Sequence, residues 1–277
     1  MRGRIRPMSN YKNRPQWQLP KGVSHGLWDY TQSASIADDY DEYFSYTSLF
    51  ELDQNLVLET LEQVGQTGDL VADLGCGTGR ALVPVAEAGY RGLAIDLSWP
   101  MLQVVQNKAK EQELDITCLR ANLVELNCLA DNSVDHCICL FSTLGMISGR
   151  ANRQACLNHI ARMMRNGGRF ILHIHNYWYN LYDPGGPRWL LSNWLKSLFN
   201  SQVQRGDRQF SYRGVPNMYL HVFRHGEIKR ALKRAGLVIQ KTIPLHAQRQ
   251  QPLARPWLFR DLRANGWIFV IRHRDVA

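Results

Sequence analysis

The sequence predicts a doubly wound α/β domain built on a mostly parallel, seven-stranded sheet, with helices on both faces and an antiparallel edge strand. Short apolar segments alternate with segments whose apolar residues recur at helical spacing, and glycines separate the two kinds. The apolar segments carry apolar residues at successive positions, which is typical of strands that helices cover on both faces. This alternation favours parallel strands joined by helices.

Each element follows from a local pattern of this kind. Gly89 is placed to cap the helix before it, and Ser98 to cap the helix after it, where Pro100 occupies the first turn at little cost. Strands are predicted at 70–74, 91–95, 116–119, 134–141, 169–174, 237–243 and 267–271. Helices are predicted at 49–64, 80–88, 151–165 and 227–235, with a further helix starting after Ser98.

The first 35 residues differ in composition from residues 36–277 and are predicted to form a flexible basic arm. Positions 1–25 hold six basic residues and no acidic residue, so the other 252 residues carry 27 basic and 24 acidic residues, a net charge of +3. Prolines and weak apolar periodicity favour flexibility in this arm. It is interpreted either as a solubilising extension or as a segment attracted to RNA or to a membrane surface.

A segment of about 45 residues, 176–220, interrupts the alternation and is predicted to be a helical, lid-like insertion over the substrate pocket. Its centre at 189–199 is rich in tryptophan and leucine and follows a turn-forming run at 183–187. Two other interpretations of this apolar helix stay open. In the first, the helix covers the core. In the second, it lies in a membrane interface and is flanked by Arg188 and Lys196.

The turn after the first strand, from Asp73 to Gly79, suits a nucleoside ligand. Its glycines let the backbone approach a ligand closely, and the helix behind it directs free N–H groups at an anion such as the carboxylate of a methionine moiety. A dinucleotide fold has its third glycine one residue later, at the position of Arg80, so a nicotinamide or flavin is disfavoured. Asp96, 17 residues past Gly79, is placed to accept hydrogen bonds from a ribose diol.

The run at 71–79 resembles the first motif of the class I, Rossmann-like S-adenosylmethionine-dependent methyltransferase superfamily. The resemblance extends to 96–98 with Met101, and to 165–168 before the fifth strand. It covers residues 36–175 well and the C-terminal part loosely. It implies S-adenosylmethionine as the cofactor and methyl transfer as the reaction.

The resemblance also implies which residues contact the cofactor. Where the superfamily usually has an aspartate for the adenine amino group, this chain has Asn122, whose oxygen still accepts a hydrogen bond, and the Leu123 N–H serves the adenine ring nitrogen. Phe141 matches the position beneath the methionine part, and Tyr40 matches a tyrosine that closes over the cofactor. The predicted cofactor-binding residues are Tyr40, Asp73, Gly75, Cys76, Gly77, Gly79, Asp96, Leu97, Met101, Asn122, Leu123 and Phe141.

Residues at the end of the fifth strand are candidates for the chemistry, because ligands of open α/β sheets bind at the carboxyl ends of the strands. A hydroxyl or ammonium acceptor must lose a proton, so His175 and Tyr177 are the predicted catalytic residues, with His175 as general base. A hydrogen-bonded structural role for His175 is the alternative. A metal site joining His173 and His175 to His221 or His225 lacks cysteine or carboxylate partners at telling spacing, so no metal is predicted.

Three functions stay open. The near-neutral domain and the aromatic insertion favour methylation of a small molecule, with an aromatic or apolar acceptor. A tRNA methyltransferase is the first alternative, because 219–224 resembles enzymes that esterify wobble uridines and C-terminal arginines would meet phosphates. A non-catalytic scaffold that binds adenosylmethionine is the second. No Asn-Pro-Pro-Tyr or Asp-Pro-Pro-Tyr run follows the fourth strand, so the resemblance to the superfamily argues against methylation of the amino groups of adenine bases or glutamine.

Composition also bears on location. No stretch reaches the 18 apolar residues of a membrane span, and no apolar segment follows the N-terminal basic residues, so we expect a cytoplasmic protein without stable membrane insertion. The six cysteines form no CxxC pair and are expected to be reduced and structural. The oligomeric state does not follow from the sequence.

Overall fold

The computed structural model describes residues 15–45, 50–200 and 203–274. Its strands are β1 Leu70–Leu74, β2 Arg91–Asp96, β3 Ile116–Arg120, β4 His136–Cys139, β5 Phe170–His175, β6 Asp207–Tyr212, β7 Val215–His221, β8 Leu237–Pro244 and β9 Gly266–His273. Seven form one sheet in the order β3-β2-β1-β4-β5-β9-β8, and β6 and β7 form a separate antiparallel hairpin. The predicted seven-stranded, mostly parallel α/β sheet is confirmed.

The antiparallel strand lies one position in from the edge of the sheet. Strands β1 to β5 pair in parallel, whereas β9 pairs antiparallel with β5 on one side and with β8 on the other. The edge strand β8 therefore points in the same direction as β5. The connection 245–265 consequently lies at the same end of the sheet as the carboxyl ends of the parallel strands, which is where ligands of such sheets bind.

Helices cover both faces of the sheet. The helices are α1 His25–Thr31, α2 Ala34–Asp38, α3 Tyr40–Ser45, α4 Glu51–Val64, α5 Leu82–Glu87, α6 Trp99–Glu111, α7 Thr143–Met146, α8 Arg150–Met163, α9 Gly186–Phe199, α10 His225–Arg234 and α11 Arg260–Arg263. Neighbouring residues of β1 point to opposite faces, so Val71 packs with α4, α5 and α6, and Ala72 packs with α8 and α10.

Residues 15–38 fold against the domain, which differs from the flexible arm predicted for 1–35. Ser24 accepts a hydrogen bond from a backbone N–H in the first turn of α1 and so caps this helix. Ile36 of α2 is buried and packs with residues of α6 and of the hairpin. The remainder of the predicted arm, residues 1–14, lies outside the described residues.

The insertion at 176–220 is helical only in its first half, which corrects the prediction of a helical lid. A 3-10 helix, Trp178–Tyr182, and α9 are followed by the β6–β7 hairpin. Strand β6 is rich in polar residues and carries few of the apolar alternations that mark a strand. The hairpin was therefore not predicted from the sequence.

The hairpin and helices α1 to α3 together form a cap over the carboxyl end of the parallel strands. Arg213, in the hairpin turn, donates to the Ile36 carbonyl at 3.2 Å and forms an ion pair with Asp39. The rings of Tyr30 and Tyr212 join α1 to β6, with their centres 6.0 Å apart. Below, α1 to α3 with β6 and β7 are called the cap.

Candidate functional site

The turn from β1 into α5 leaves open space at Gly77. The N–H groups of Gly75 and Cys76 donate to the Ile95 carbonyl at 2.7 and 3.2 Å, which ties the turn to β2. A Cβ at Gly75 would lie 2.3 Å from Thr143, whereas a Cβ at Gly77 would meet no atom within 4 Å. Gly77 has a φ of +54°, a conformation that residues with side chains rarely adopt. Bare backbone therefore faces a ligand space there.

Gly79, predicted to contact the cofactor, does not line the cavity. A Cβ at this position would lie 3.1 Å from Val105 of α6. The missing side chain lets the start of α5 pack closely on α6. Gly79 thus shapes the turn through helix packing.

Asp96 ends β2 and accepts two backbone hydrogen bonds. The Gly77 N–H donates to Oδ2 at 2.9 Å and the Ser98 N–H donates to Oδ1 at 2.8 Å. Burial raises the pKa of Asp96, and these backbone donors oppose that shift. A carboxylate offers about four acceptor sites, so both oxygens retain capacity for further donors such as ribose hydroxyls.

Asp73, near the end of β1, is a buried carboxyl in the same wall. Burial raises the pKa of Asp73 to about 8, with a further contribution from the charge of Asp96. At neutral pH this carboxyl therefore carries a proton. A cationic group bound beside it would stabilise the ionised form and lower the pKa again.

A cavity of about 380 Å³ lies between the cap and the carboxyl ends of β1, β2, β4 and β5. This volume falls within the range of small-ligand sites. All the predicted site residues except Gly79 and Tyr177 line it. The cap contributes side chains that the sequence did not identify, among them Leu27, Tyr30, Phe210, Tyr212 and Leu220. No residue of α9 lines the cavity, so the hairpin takes the position expected of the apolar helix.

Asn122 holds together two segments at the adenine end of the predicted site. Its amide nitrogen donates to the Lys21 carbonyl at 3.0 Å and to Glu125 at 3.3 Å, and its oxygen accepts from the Val124 N–H at 3.2 Å. The oxygen keeps one acceptor site. Leu123 beside it is buried and lines the cavity.

Phe141 and Ser142 follow β4 with two successive left-handed backbone conformations, at φ of +50° and +63°. Such conformations cost roughly 1–3 kcal/mol each for residues with side chains and cluster at functional sites. The Ser142 N–H donates to the His173 carbonyl at 3.0 Å, and its hydroxyl accepts from the His175 N–H at 3.1 Å. The Phe141 ring lies 4.0 Å from the Phe50 ring and 5.4 Å from the His173 ring, centre to centre. These contacts fix the Phe141 ring in the cavity wall, between Phe50 and His173.

A cluster of polar residues forms the inner end of the cavity. Asp53 of α4 is buried, and its Oδ2 lies 2.5 Å from Nδ1 of the fully buried His173. The other carboxylate oxygen of Asp53 has no hydrogen-bond partner in the described part of the chain, although Asp53 lines the cavity. The sequence carried one signal for Asp53: it shares a helical face with the buried Leu56 and Val57, where an acid is unusual.

His175 lies beside this pair, and its buried Nδ1 also lacks a partner in the described residues. Burial, the charge of Arg249 and the neighbouring His173 hold the pKa of His175 well below its usual range. His175 is therefore neutral at physiological pH, and the same burial and positive charge oppose its protonation. Arg249, from the connection between β8 and β9, lines the same end and interacts electrostatically with Asp53. Nothing local in the sequence marks Arg249.

Tyr177, the second predicted catalytic residue, lies outside the cavity. Its side chain is buried against Leu190 and Val222. Its hydroxyl donates to the Leu190 carbonyl at 3.4 Å and accepts from Arg205 at 3.2 Å. This placement corrects the prediction and gives Tyr177 a role in packing α9.

His221 forms hydrogen bonds with carboxylates through both ring nitrogens. Nδ1 lies 2.8 Å from Asp207 and Nε2 lies 2.8 Å from Glu227. In the ranges that the structure describes, no group of three or more His, Cys, Asp or Glu residues is arranged to hold a metal ion. His221 instead joins the base of the hairpin to α10.

A side-chain network connects the cap to the glycine turn. Asp41 of α3 accepts from the Thr78 hydroxyl at 2.7 Å and from Lys108 of α6 at 2.5 Å. Lys108 also donates to the Thr78 carbonyl at 2.9 Å. The segment that carries Tyr40 is thereby attached to the turn, and Tyr40 lines the cavity.

Comparison with known proteins shows what this chain resembles. Residues 71–168 match the family model of a methyltransferase domain. A putative methyltransferase of Geobacillus sp. (strain WCH70) is 29% identical over 125 residues, covering 44% of this chain and 49% of the relative. The chain spans about half the length of the curated relatives it matches.

Solved structures share the fold at low sequence identity. A SAM-dependent methyltransferase of Methanosarcina mazei aligns with a TM-score of 0.63 at 16% identity, covering 78% of this chain and 97% of that chain. The 1,6-didemethyltoxoflavin-N1-methyltransferase of Burkholderia thailandensis, solved with 1,6-didemethyltoxoflavin and S-adenosylhomocysteine, aligns with a TM-score of 0.59 at 15% identity, covering 90% and 87%. Residues 71–168 therefore match the model of a methyltransferase domain, and the chain shares the fold of these S-adenosylmethionine-dependent methyltransferases.

Proposed function

We propose that this protein transfers the methyl group of S-adenosylmethionine to an oxygen or nitrogen atom of a small molecule. One observation carries the proposal: a single cavity joins the glycine turn and Asp96 to the polar cluster of Asp53, His175 and Arg249. A cofactor held at the first end would present its methyl group towards an acceptor at the second. Phe141 lies between the two ends.

The residues at the first end fit the cofactor. Asp96 offers acceptor sites for the ribose hydroxyls, and the bare backbone at Gly77 leaves room beside them. Arg80 lines the cavity, and its buried Nη1 has no hydrogen-bond partner in the described residues. Its guanidinium lies 3.9 Å from the Phe50 ring centre, which fixes it in place. We assign Arg80 to the cofactor carboxylate. When bound, the cofactor supplies an electrophilic methyl group on a sulfonium.

The residues at the second end fit an acceptor that must lose a proton. His175 lines the cavity and has an unpartnered ring nitrogen, so we assign it as the group that takes the proton from the acceptor hydroxyl or ammonium. A bound acceptor that pairs with Arg249 would offset the positive charge that opposes protonation of His175. The unpartnered oxygen of Asp53 accepts a hydrogen bond from the acceptor and orients it. His173 holds the Asp53 carboxylate in place through its 2.5 Å contact. Arg249 provides a site for an electron-rich group on the acceptor.

A small acceptor is favoured over tRNA by the surroundings of the cavity. The cap covers the strand ends, and its wall includes Phe210, Tyr212 and Leu220, which suit a flat or apolar molecule. The segment 219–224, which favoured the tRNA alternative, places Tyr219 and Phe223 in buried positions. These side chains have no surface to present to a nucleic acid. A solved relative of similar fold binds the small acceptor 1,6-didemethyltoxoflavin.

Cofactor binding and transfer are tested separately. Calorimetric titration with S-adenosylmethionine is expected to give micromolar affinity, and NAD serves as the control that should not bind. Methyl-labelled cofactor is then incubated with a metabolite extract and with a tRNA pool. His175→Asn should leave cofactor affinity unchanged and lower turnover by roughly 100-fold or more.

Each result has a defined meaning. Label in small molecules supports the proposal, whereas label in tRNA moves the assignment to the first alternative. Cofactor binding without transfer to either pool supports the non-catalytic scaffold. Failure to bind S-adenosylmethionine contradicts the whole assignment.

A further inference from the structure

Helix α9 exposes its apolar side to solvent. Leu191, Trp194, Leu195 and Leu198 follow the i, i+3, i+4, i+7 spacing of a single helical face and are between 40 and 59% exposed. A surface helix of a water-soluble protein normally turns such a stripe towards the core. The orientation of α9 is the reverse.

Polar contacts hold α9 in this orientation. The Asn193 side chain donates to the Asp207 carbonyl at 3.1 Å and accepts from the Gly206 N–H at 2.8 Å. The Trp189 ring lies 5.7 Å from the guanidinium of Arg208, and Leu190 packs in a small buried cluster. The side chains on the inward side of α9 therefore already have partners. Rotation of the helix to bury its exposed apolar residues would break these hydrogen bonds.

A second exposed apolar segment lies near α9. Trp257 and Phe259 are 78% and 70% exposed, and Leu258 and Leu262 are also exposed. Helices α9 and α11 both contact the 3-10 helix at 178–182, which joins the two segments. We call the apolar face the surface formed by 181–182, the outward side of α9, and 257–262. Exposed apolar residues grouped around one short helix in this way mark an interaction site.

The charges around the apolar face are mainly positive. Arg188, Lys196 and Arg255 are exposed at its border. Of the nearby acids, Asp183 pairs with Arg208 at 2.9 Å and Asp261 lies 3.4 Å from Arg260. Tryptophan, phenylalanine and leucine bordered by lysine and arginine is the composition of helices that lie in a membrane interface.

We propose that the apolar face docks the protein on an anionic membrane surface, with α9 lying in the plane of the interface. An anionic bilayer would neutralise the basic border, whereas a second copy meeting this face would bring like charges together. No helix in the described ranges could cross a membrane, so the contact is peripheral. The face also lies at the cavity's end of the sheet, because 178–182 follows β5 and 257–262 precedes β9.

Co-sedimentation of the full chain with vesicles tests this proposal without reference to methyl transfer. We expect binding to phosphatidylcholine vesicles containing 30% phosphatidylglycerol, and at least tenfold weaker binding to phosphatidylcholine alone. Leu191→Ser with Leu195→Ser should weaken binding roughly tenfold, because both side chains are exposed in solution and would be buried at the interface. The matched control is Trp17→Ser with Val64→Ser, which alters two exposed apolar residues elsewhere.

The charge contribution needs its own pair of variants. Arg188→Gln with Lys196→Gln should weaken binding to anionic vesicles roughly tenfold or more, whereas Lys110→Gln with Lys229→Gln should change it less than twofold. Cofactor affinity and thermal unfolding of each variant show that it folds. Vesicle binding that is absent in the wild type, or equal in the wild type and the leucine variant, overturns the proposal. A dimer in light scattering that the leucine variant converts to a monomer also overturns it, in favour of a second copy.

Discussion

Thr78, within the glycine turn, donates its hydroxyl hydrogen to Asp41 of the cap at 2.7 Å. The buried Thr78 can form this bond only when α3 lies against the turn. The position of α3 and the shape of the glycine turn are therefore linked through the network of Thr78, Asp41 and Lys108.

Asp41→Ala should weaken binding of S-adenosylmethionine about tenfold, because it removes the carboxylate that joins Thr78 to Lys108. Hydrogen bonds to charged groups contribute about 1.5–3 kcal/mol, which is consistent with that change. Calorimetry measures the affinity. Glu42→Ala, at the next position of α3, is the control and should bind normally. Equal affinities in both variants would show that the contact does not support the site.

Gly77→Val should abolish measurable cofactor binding, since the side chain would enter space that is open in the cavity. Gly167→Val is the matched control. Gly167 also has a positive φ and open space around it, but it does not line the cavity. Both variants should lose similar stability in thermal unfolding, roughly 1–2 kcal/mol. Loss of binding in both would attribute the effect to the fold.

Arg80→Met should distinguish ligands with and without the amino-acid part. We expect S-adenosylhomocysteine to bind at least tenfold more weakly, because its carboxylate loses a charged donor. 5′-Methylthioadenosine, which lacks that carboxylate, should bind with the wild-type affinity. Calorimetry with both ligands measures the difference. An equal loss for both would assign Arg80 to the packing of Phe50.

Cofactor binding should release protons at neutral pH. The pKa of free Asp73 is raised to about 8, so this carboxyl is mostly protonated at pH 7. The positive charges of the cofactor would favour the carboxylate and lower its pKa, and the proton would leave. Calorimetry at pH 7 in buffers of different ionisation enthalpy counts the released protons. Asp73→Asn should abolish the release, and unchanged release in that variant would contradict the assignment.

Acid should destabilise the junction of the hairpin with α10. Burial raises the pKa of Asp207 and of Glu227, but hydrogen bonds, including those from His221, outweigh burial. Both pKa values therefore lie below the ordinary values of 3.8 and 4.5. Carboxyls with lowered pKa stabilise the fold above those ordinary values and lose this contribution as pH falls through the folded values. The melting temperature should therefore fall steeply below about pH 4.5. Glu227→Gln should flatten this dependence, whereas Glu59→Gln, at an exposed position, should not.

The fold was predictable because its signals are local. Each buried strand of the parallel sheet is a short apolar run. The glycine turn lies between one such strand, β1, and the helix α5. Asp96 follows from its distance to the turn. These features require only neighbouring residues, so the sequence displays them directly.

The inner end of the cavity was only partly predictable, because it depends on contacts between distant segments. Asp53 and His173 are separated by 120 positions, and Arg249 enters from a connection whose path depends on β9. His175 was found because it ends a recognisable strand. Tyr177 was placed wrongly, since two residues past the strand the chain turns towards α9. Helices α1 and α2 were hidden because they pack on the hairpin and have little apolar periodicity of their own.

The position of β9 between β5 and β8 has a consequence for synthesis of the chain. Strand β8 reaches the sheet only through β9, which the ribosome produces later. Until β9 emerges, the buried residues of β5 have an unpaired edge, and such edges promote aggregation of nascent chains. The half of the sheet that carries the glycine turn can form first, but the cavity end that carries His175 and Arg249 is completed last.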